Sequence, residues 1–403
     1  VILLTDISGP AWSPALLDLD YSGAIRLGVV WALPQAVVGA CLGLLLAQDR
    51  LGAYACVVLI NTVGAQALGL VAIYSWNGGI TSYLASLAGG SAFAAIVALV
   101  ATRPTFSGLR NVSAIRNGFR TGLPLIPHLV SMYLLTAGDR LVIQRVAGLD
   151  AAGRYQIAYT FGALTVTLLL AINNSWGPVI HGATDERRWI VLAEIRDLVY
   201  RISFCACGCV ALTAPVLLPL AVGGDYDPAS LAPTTAVISL SAMPYVAYLV
   251  HVRVLVHERR MARLVWSTAL VAGINFAANI PLVARFGIFA AACTTVACYC
   301  VLALLVRQRS RQMAAIPGNR RLAARCWIGA ASIIVLACVV PATWPWMLVR
   351  SLGVALLVAQ LVRTVVTPSR RAQGRPDLSA TGSGPETLSG DSAPRSQASV
   401  SEV

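Results

Sequence analysis

Long apolar runs separated by short polar stretches dominate the chain from about residue 23 to residue 366. About 20 apolar residues in helical form cross the hydrocarbon core of a bilayer. By that measure the pattern predicts eleven spans, at roughly 23–47, 51–74, 80–102, 123–144, 153–176, 199–222, 230–252, 262–283, 286–306, 326–343 and 346–366. The first and fourth are interrupted, by Arg26 and by the pair Asp139-Arg140. Several connections are short and rich in turn formers, such as Ser75-Trp76-Asn77-Gly78-Gly79 and Gly223-Gly224-Asp225-Tyr226-Asp227-Pro228. Two links, 103–121 and 177–198, are longer and amphipathic and are expected to lie along the membrane surface. The fold class that follows is an all-α polytopic membrane protein of about eleven transmembrane helices.

Composition agrees with lipid as the solvent, since 57% of the 403 residues are hydrophobic and only 12% are charged. So few charges do not coat a soluble protein of this size. The net charge of +13 comes entirely from arginine, because the chain has no lysine. Of the 30 arginines, 24 fall on alternate connections and the tail, and only Arg26, Arg140, Arg145, Arg154, Arg285 and Arg350 fall on the other side. This asymmetry orients the rich side and the C-terminus towards the cytoplasm of a cell membrane, and it argues for topology signals rather than a nucleic-acid partner. The ten cysteines lie mostly inside apolar runs and are expected to pack as small apolar groups, with no metal site among them. An odd number of spans with an inner C-terminus places the start of the chain outside. Val1 follows no basic leader, so earlier helices are expected to precede it.

Beyond topology, an ordered set of motifs is informative. Gly122-Leu123-Pro124-Leu125-Ile126-Pro127-His128, Gly138-Asp139-Arg140-Leu141-Val142-Ile143, Gly148 and Gly153-Arg154-Tyr155-Gln156-Ile157-Ala158-Tyr159 follow one another in sequence. Trp176-Gly177-Pro178 comes next, then Asn279-Ile280-Pro281-Leu282-Val283 and Phe286-Gly287-Ile288-Phe289-Ala290-Ala291-Ala292. This series resembles the polysaccharide flippases, the exporters of O-antigen and capsule repeat units, with Phe289 replacing a usual glycine. Ala47-Gln48-Asp49-Arg50 and Tyr54 resemble an earlier helix junction of the same family. The resemblance implies the multidrug/oligosaccharidyl-lipid/polysaccharide exporter fold, two six-helix bundles around a cavity, with an optional extra pair. On that basis 1–103 is expected to be a partial N-terminal bundle of three spans and 104–310 a C-terminal six-helix bundle. Residues 311–367 are then the extra pair, and 368–403 a disordered cytoplasmic tail, poor in large apolar residues.

The implied substrate is a polyprenyl pyrophosphate carrying a sugar repeat unit. The implied partners are that lipid-linked oligosaccharide, membrane lipids, and a polysaccharide polymerase and glycosyltransferases, with no cofactor. Arginine suits a pyrophosphate because its planar fork donates two parallel hydrogen bonds. Ionisable groups within a span are functional candidates by default. Asp139 and Arg140 head the set; being adjacent on a helix, they are expected to point about 100° apart and not to neutralise one another. Arg26 and Gln35, beside Pro34, join them, as do the amides Asn173, Asn174, Asn275 and Asn279, which can donate to and accept from sugar hydroxyls. His128 is the candidate for proton coupling. Each has a plainer reading as an interface anchor or helix contact.

These features imply a non-enzymatic transporter that works by alternating access. Two other functions compete with it. A polymerase or glycosyltransferase would use a metal-binding acidic pair, for which Asp225-Tyr226-Asp227 is a candidate, in a very short turn. A cation-coupled drug antiporter would bury carboxylates in mid-span, and Asp139 alone lies well within one.

Overall fold

The computed structural model describes residues 2–76, 79–104, 111–123, 126–174, 176–258, 260–341 and 343–366. The tail expected to be disordered lies outside the described residues. All secondary structure among them is helical. Two short helices, α1 (Ile2–Ile7) and α2 (Gly9–Leu17), precede α3 (Gly23–Ala47), α4 (Leu51–Leu59), α5 (Ala65–Trp76) and α6 (Gly79–Thr102). A π-helical turn, Ile60–Gly64, joins α4 to α5, so that they form one span, Leu51–Ser75. These helices pack among themselves around Val38, Leu45, Val57, Ala94 and Ala98.

The amphipathic helix α7 (Val112–Gly122) then leads into α8 (Ile126–Gly162) and α9 (Leu164–Asn174). Gly148 breaks the helical path of α8 with φ +89° and ψ 172°, a conformation costly for any residue with a Cβ. The break is a reversal. Tyr155 donates a 2.5 Å hydrogen bond to Asp139, 16 positions back; on a continuous helix those residues would be roughly 24 Å apart. Residues 126–147 and 149–174 are therefore the two arms of a hairpin, the second bent by 45° between α8 and α9.

The remaining helices are α10 (Trp176–His181), α11 (Asp185–Ala221), α12 (Pro228–Leu240), α13 (Ala242–His257), α14 (Met261–Phe286), α15 (Ile288–Ser310), α16 (Arg320–Val339) and α17 (Trp344–Val366). Among the described residues nine helices are long and apolar enough to cross a membrane, counting α4–α5 and α12–α13 as one each, and the hairpin arms stand beside them. Exposed rows such as Phe93, Ile96 and Val100 on α6 present the apolar surface that lipid covers.

The hairpin packs on α14 and α12, with α13 and α15 completing the group. Its centre is aromatic: Tyr245 lies edge-on to Tyr299 at 5.4 Å. Gly162 lets the second arm approach α12, because a Cβ there would come within 2.7 Å of Ile238. Helices α16 and α17 lean on α11 from outside, and Arg350 donates to the carbonyls of Ala337 and Val340, closing the end of α16. No helix of the α1–α6 group packs extensively on α8–α17, although Gln144 and Arg145 donate to the carbonyls of Leu17 and Ala15.

One expectation is corrected. The link 177–198 does not lie apart on the membrane surface, because from Asp185 it is the first part of α11. Leu192 is buried in the main core and Trp189 and Ile195 pack against it, so the segment is held by packing within the protein.

Candidate functional site

The hairpin places charged and aromatic groups deep in the α8–α15 group. Asp139, on the first arm, has no exposed surface. Its carboxylate accepts from the Tyr155 hydroxyl at 2.5 Å, from Thr295 of α15 at 3.4 Å and from the Arg140 backbone N–H at 2.9 Å. Thr295 also donates to the carbonyl of Ala291, so it is shared between two acceptors. Hydrogen bonds from three directions offset the cost of burying a carboxylate.

Arg140 turns back along its own helix. One guanidinium nitrogen donates to the Thr136 carbonyl at 2.7 Å and lies 3.8 Å from Asp139, while the group sits 4.2 Å from the centre of the Tyr159 ring. This corrects the expectation that neighbours about 100° apart cannot pair: the long arginine stem bends round, so helical geometry at Cβ does not decide where the charge ends. Stacking on Tyr159 adds a cation–π contact. The Nε of Arg140 is buried with no hydrogen-bond partner among the described residues.

A second polar cluster lies inside the α3–α6 group. Ser91 of α6, fully buried, accepts from Trp31 Nε1 at 2.8 Å and from Gln35 Nε2 at 3.3 Å. Asn61 donates to Gln35 at 3.2 Å from the π-helical turn, and its own Oδ1 is buried without a partner among the described residues. A π-turn within an α-helix often marks a functional position. Gln35 was expected here; Trp31, Asn61 and Ser91 were not, although an amide inside an apolar span, as Asn61 is, carries the same signal as Asn173 or Asn275.

The other candidates disperse. Arg26 makes a two-pronged pair with Asp6, at 3.1 Å from each nitrogen, with its side chain 65% exposed. Tyr21 also donates to Asp6, and that hydrogen bond, with Arg26, holds the Asp6 carboxyl below its ordinary range. Asn275 and Asn279 are buried and bond to one another at 3.2 Å, each keeping one polar atom without a partner among the described residues. Asn173 accepts from Arg253 at 3.0 Å, while Asn174 is exposed. His128 meets Thr268 of α14 at 3.0 Å.

Asp227 faces Arg154 at 3.5 Å, and among the described residues no group of three or more histidine, cysteine or acidic side chains is placed to hold a metal. All ten cysteines are free. The structure thus brings Asp139 and Arg140 together, pairs Asn275 with Asn279 on the helix that packs on the first arm, and keeps Gln35 in a separate cluster.

Residues 21–182 match the model of a family described as polysaccharide biosynthesis protein. No curated protein matches the chain. The matched residues run from the start of α3 to the end of α10, and so include both the Gln35 cluster and the hairpin carrying Asp139, Arg140 and Tyr155. Over that segment this multi-pass membrane protein is similar to the polysaccharide biosynthesis protein family.

Proposed function

We propose that the protein flips a polyprenyl-pyrophosphate-linked oligosaccharide across the cytoplasmic membrane, by alternating access and without covalent chemistry. The observation that carries this reading is Arg140, a cation within the membrane-spanning part of a polysaccharide biosynthesis family segment. Tyr159 and Thr136 orient it, and among the described residues its Nε has no hydrogen-bond partner. A pyrophosphate crossing the membrane needs such a donor, because its charge has no water to stabilise it there. The buried amides, Asn275 with Asn279 and Gln35 with Asn61, are suited to sugar hydroxyls, since each can both donate and accept. Asp139 balances Arg140 while the substrate is absent.

Reconstitution tests the reading. Purified protein in liposomes is given a fluorescent polyprenyl pyrophosphate oligosaccharide, and a membrane-impermeant quencher reports the exposed fraction. Transport predicts that the quenched fraction rises from about half, the outer-leaflet share, towards completion; a fraction unchanged from protein-free liposomes contradicts it. Hydrolysis or elongation of the substrate during the assay would favour the enzymatic alternative.

A further inference from the structure

We infer that α7 carries the docking groove for the isoprenoid chain of the lipid-linked substrate, on the cytoplasmic side of the membrane. An open apolar groove of about 480 Å³ is lined by Ile115, Gly118, Phe119, Gly122, Leu123 and Ile126. All six residues are exposed, and none offers a polar side chain. The groove is concave because Gly118 and Gly122, one helical turn apart, leave the floor bare between Ile115, Phe119 and Leu123. A Cβ at either glycine would meet nothing within 4 Å, so neither is there to let another part of the protein approach. Glycine also costs about 1 kcal/mol against alanine within a helix, and α7 carries this cost at Gly118 on its apolar face.

Charge identifies the occupant. Arg116 and Arg120, also one turn apart, flank the apolar stripe, and among the described residues neither has an acidic partner. An apolar slot edged by two arginines fits a slender lipid chain ending in phosphate. The arginine asymmetry assigns this link to the cytoplasmic side, where the substrate of a flippase is loaded. Ile126, at the end of the groove, is also the first residue of the arm that bears Arg140, roughly 20 Å further along that helix. Ile126 thus joins the groove to the arm that carries Arg140, which suits tail capture below and headgroup passage above. The inference rests on the flippase reading, because a bulk phospholipid would need no such slot.

The test is photolabelling of the full chain in lipid nanodiscs, with a diazirine placed either in the isoprenoid chain of a polyprenyl phosphate or in an acyl chain of phosphatidylglycerol. Peptide mapping then locates the label. The expected result is isoprenoid label within 115–126, displaced by unlabelled polyprenyl phosphate but not by excess phosphatidylglycerol, and reduced severalfold by Gly118→Leu with Gly122→Leu. Those leucines fill the slot while strengthening the helix and its hold on the membrane, so a merely anchoring α7 would gain from them. Equal labelling by both probes, with mutual displacement, would overturn the inference by making the groove a bulk-lipid face. Isoprenoid label confined to other helices would overturn it and leave the flippase reading intact. No isoprenoid label anywhere would overturn both.

Discussion

Asp139→Ala lowers the stability of the purified protein by about 3 kcal/mol, because it orphans a buried hydroxyl and leaves an arginine in the membrane without its counter-charge. Tyr155 has no exposed surface, and Asp139 is the acceptor of its hydroxyl. Thr295 keeps its second acceptor, Ala291, and contributes less to the loss. Denaturant unfolding in detergent measures the difference. Tyr155→Phe is the informative companion, since it removes one donor from the carboxylate while retaining the ring. The double variant is expected to cost less than the two single variants added, as residues sharing one contact do not act independently. A cost below about 1 kcal/mol for Asp139→Ala, or strict additivity, would show that the hairpin does not depend on this contact.

Arg140→Lys reduces transport in the liposome assay by roughly tenfold or more while leaving the protein folded, since hydrogen bonds to a charged group are worth about 1.5–3 kcal/mol and lysine loses the planar fork. The lysine retains the positive charge, so the experiment separates charge from geometry. A structural arginine, stapled to Thr136 and Tyr159, predicts a different pattern: lower stability and normal transport in the fraction that remains folded. Full transport by Arg140→Lys would remove the fork from the mechanism and leave only the need for a cation.

Much of the fold is legible in the sequence because a membrane span is mainly a matter of length and apolarity. The arginine pattern reflects the same physics from the other side of the interface. What escapes is the pairing of distant residues. The contact of Asp139 with Tyr155 depends on a reversal at Gly148, and spacing alone does not fix which residues meet across it. Arg26 reads as a charge inside a span until its partner Asp6 is found on a short helix before that span. Asn61 carries the signal of an amide inside an apolar span, but its partners become visible only where α3 and α6 bring Gln35 and Ser91 to the same level. The link that becomes the start of α11 was misplaced for a related reason. Its amphipathic pattern is compatible with a lipid surface and with a protein core, and only packing of Leu192, Trp189 and Ile195 distinguishes them.

The central claim, movement of a lipid-linked repeat unit between leaflets, is tested most directly by depleting the protein in its host and measuring which leaflet holds the repeat units. The account predicts intact repeat units accumulating on the cytoplasmic leaflet, with surface polysaccharide lost. Repeat units that still reach the outer leaflet, and collect there unpolymerised, would contradict it and assign the protein to polymerisation instead.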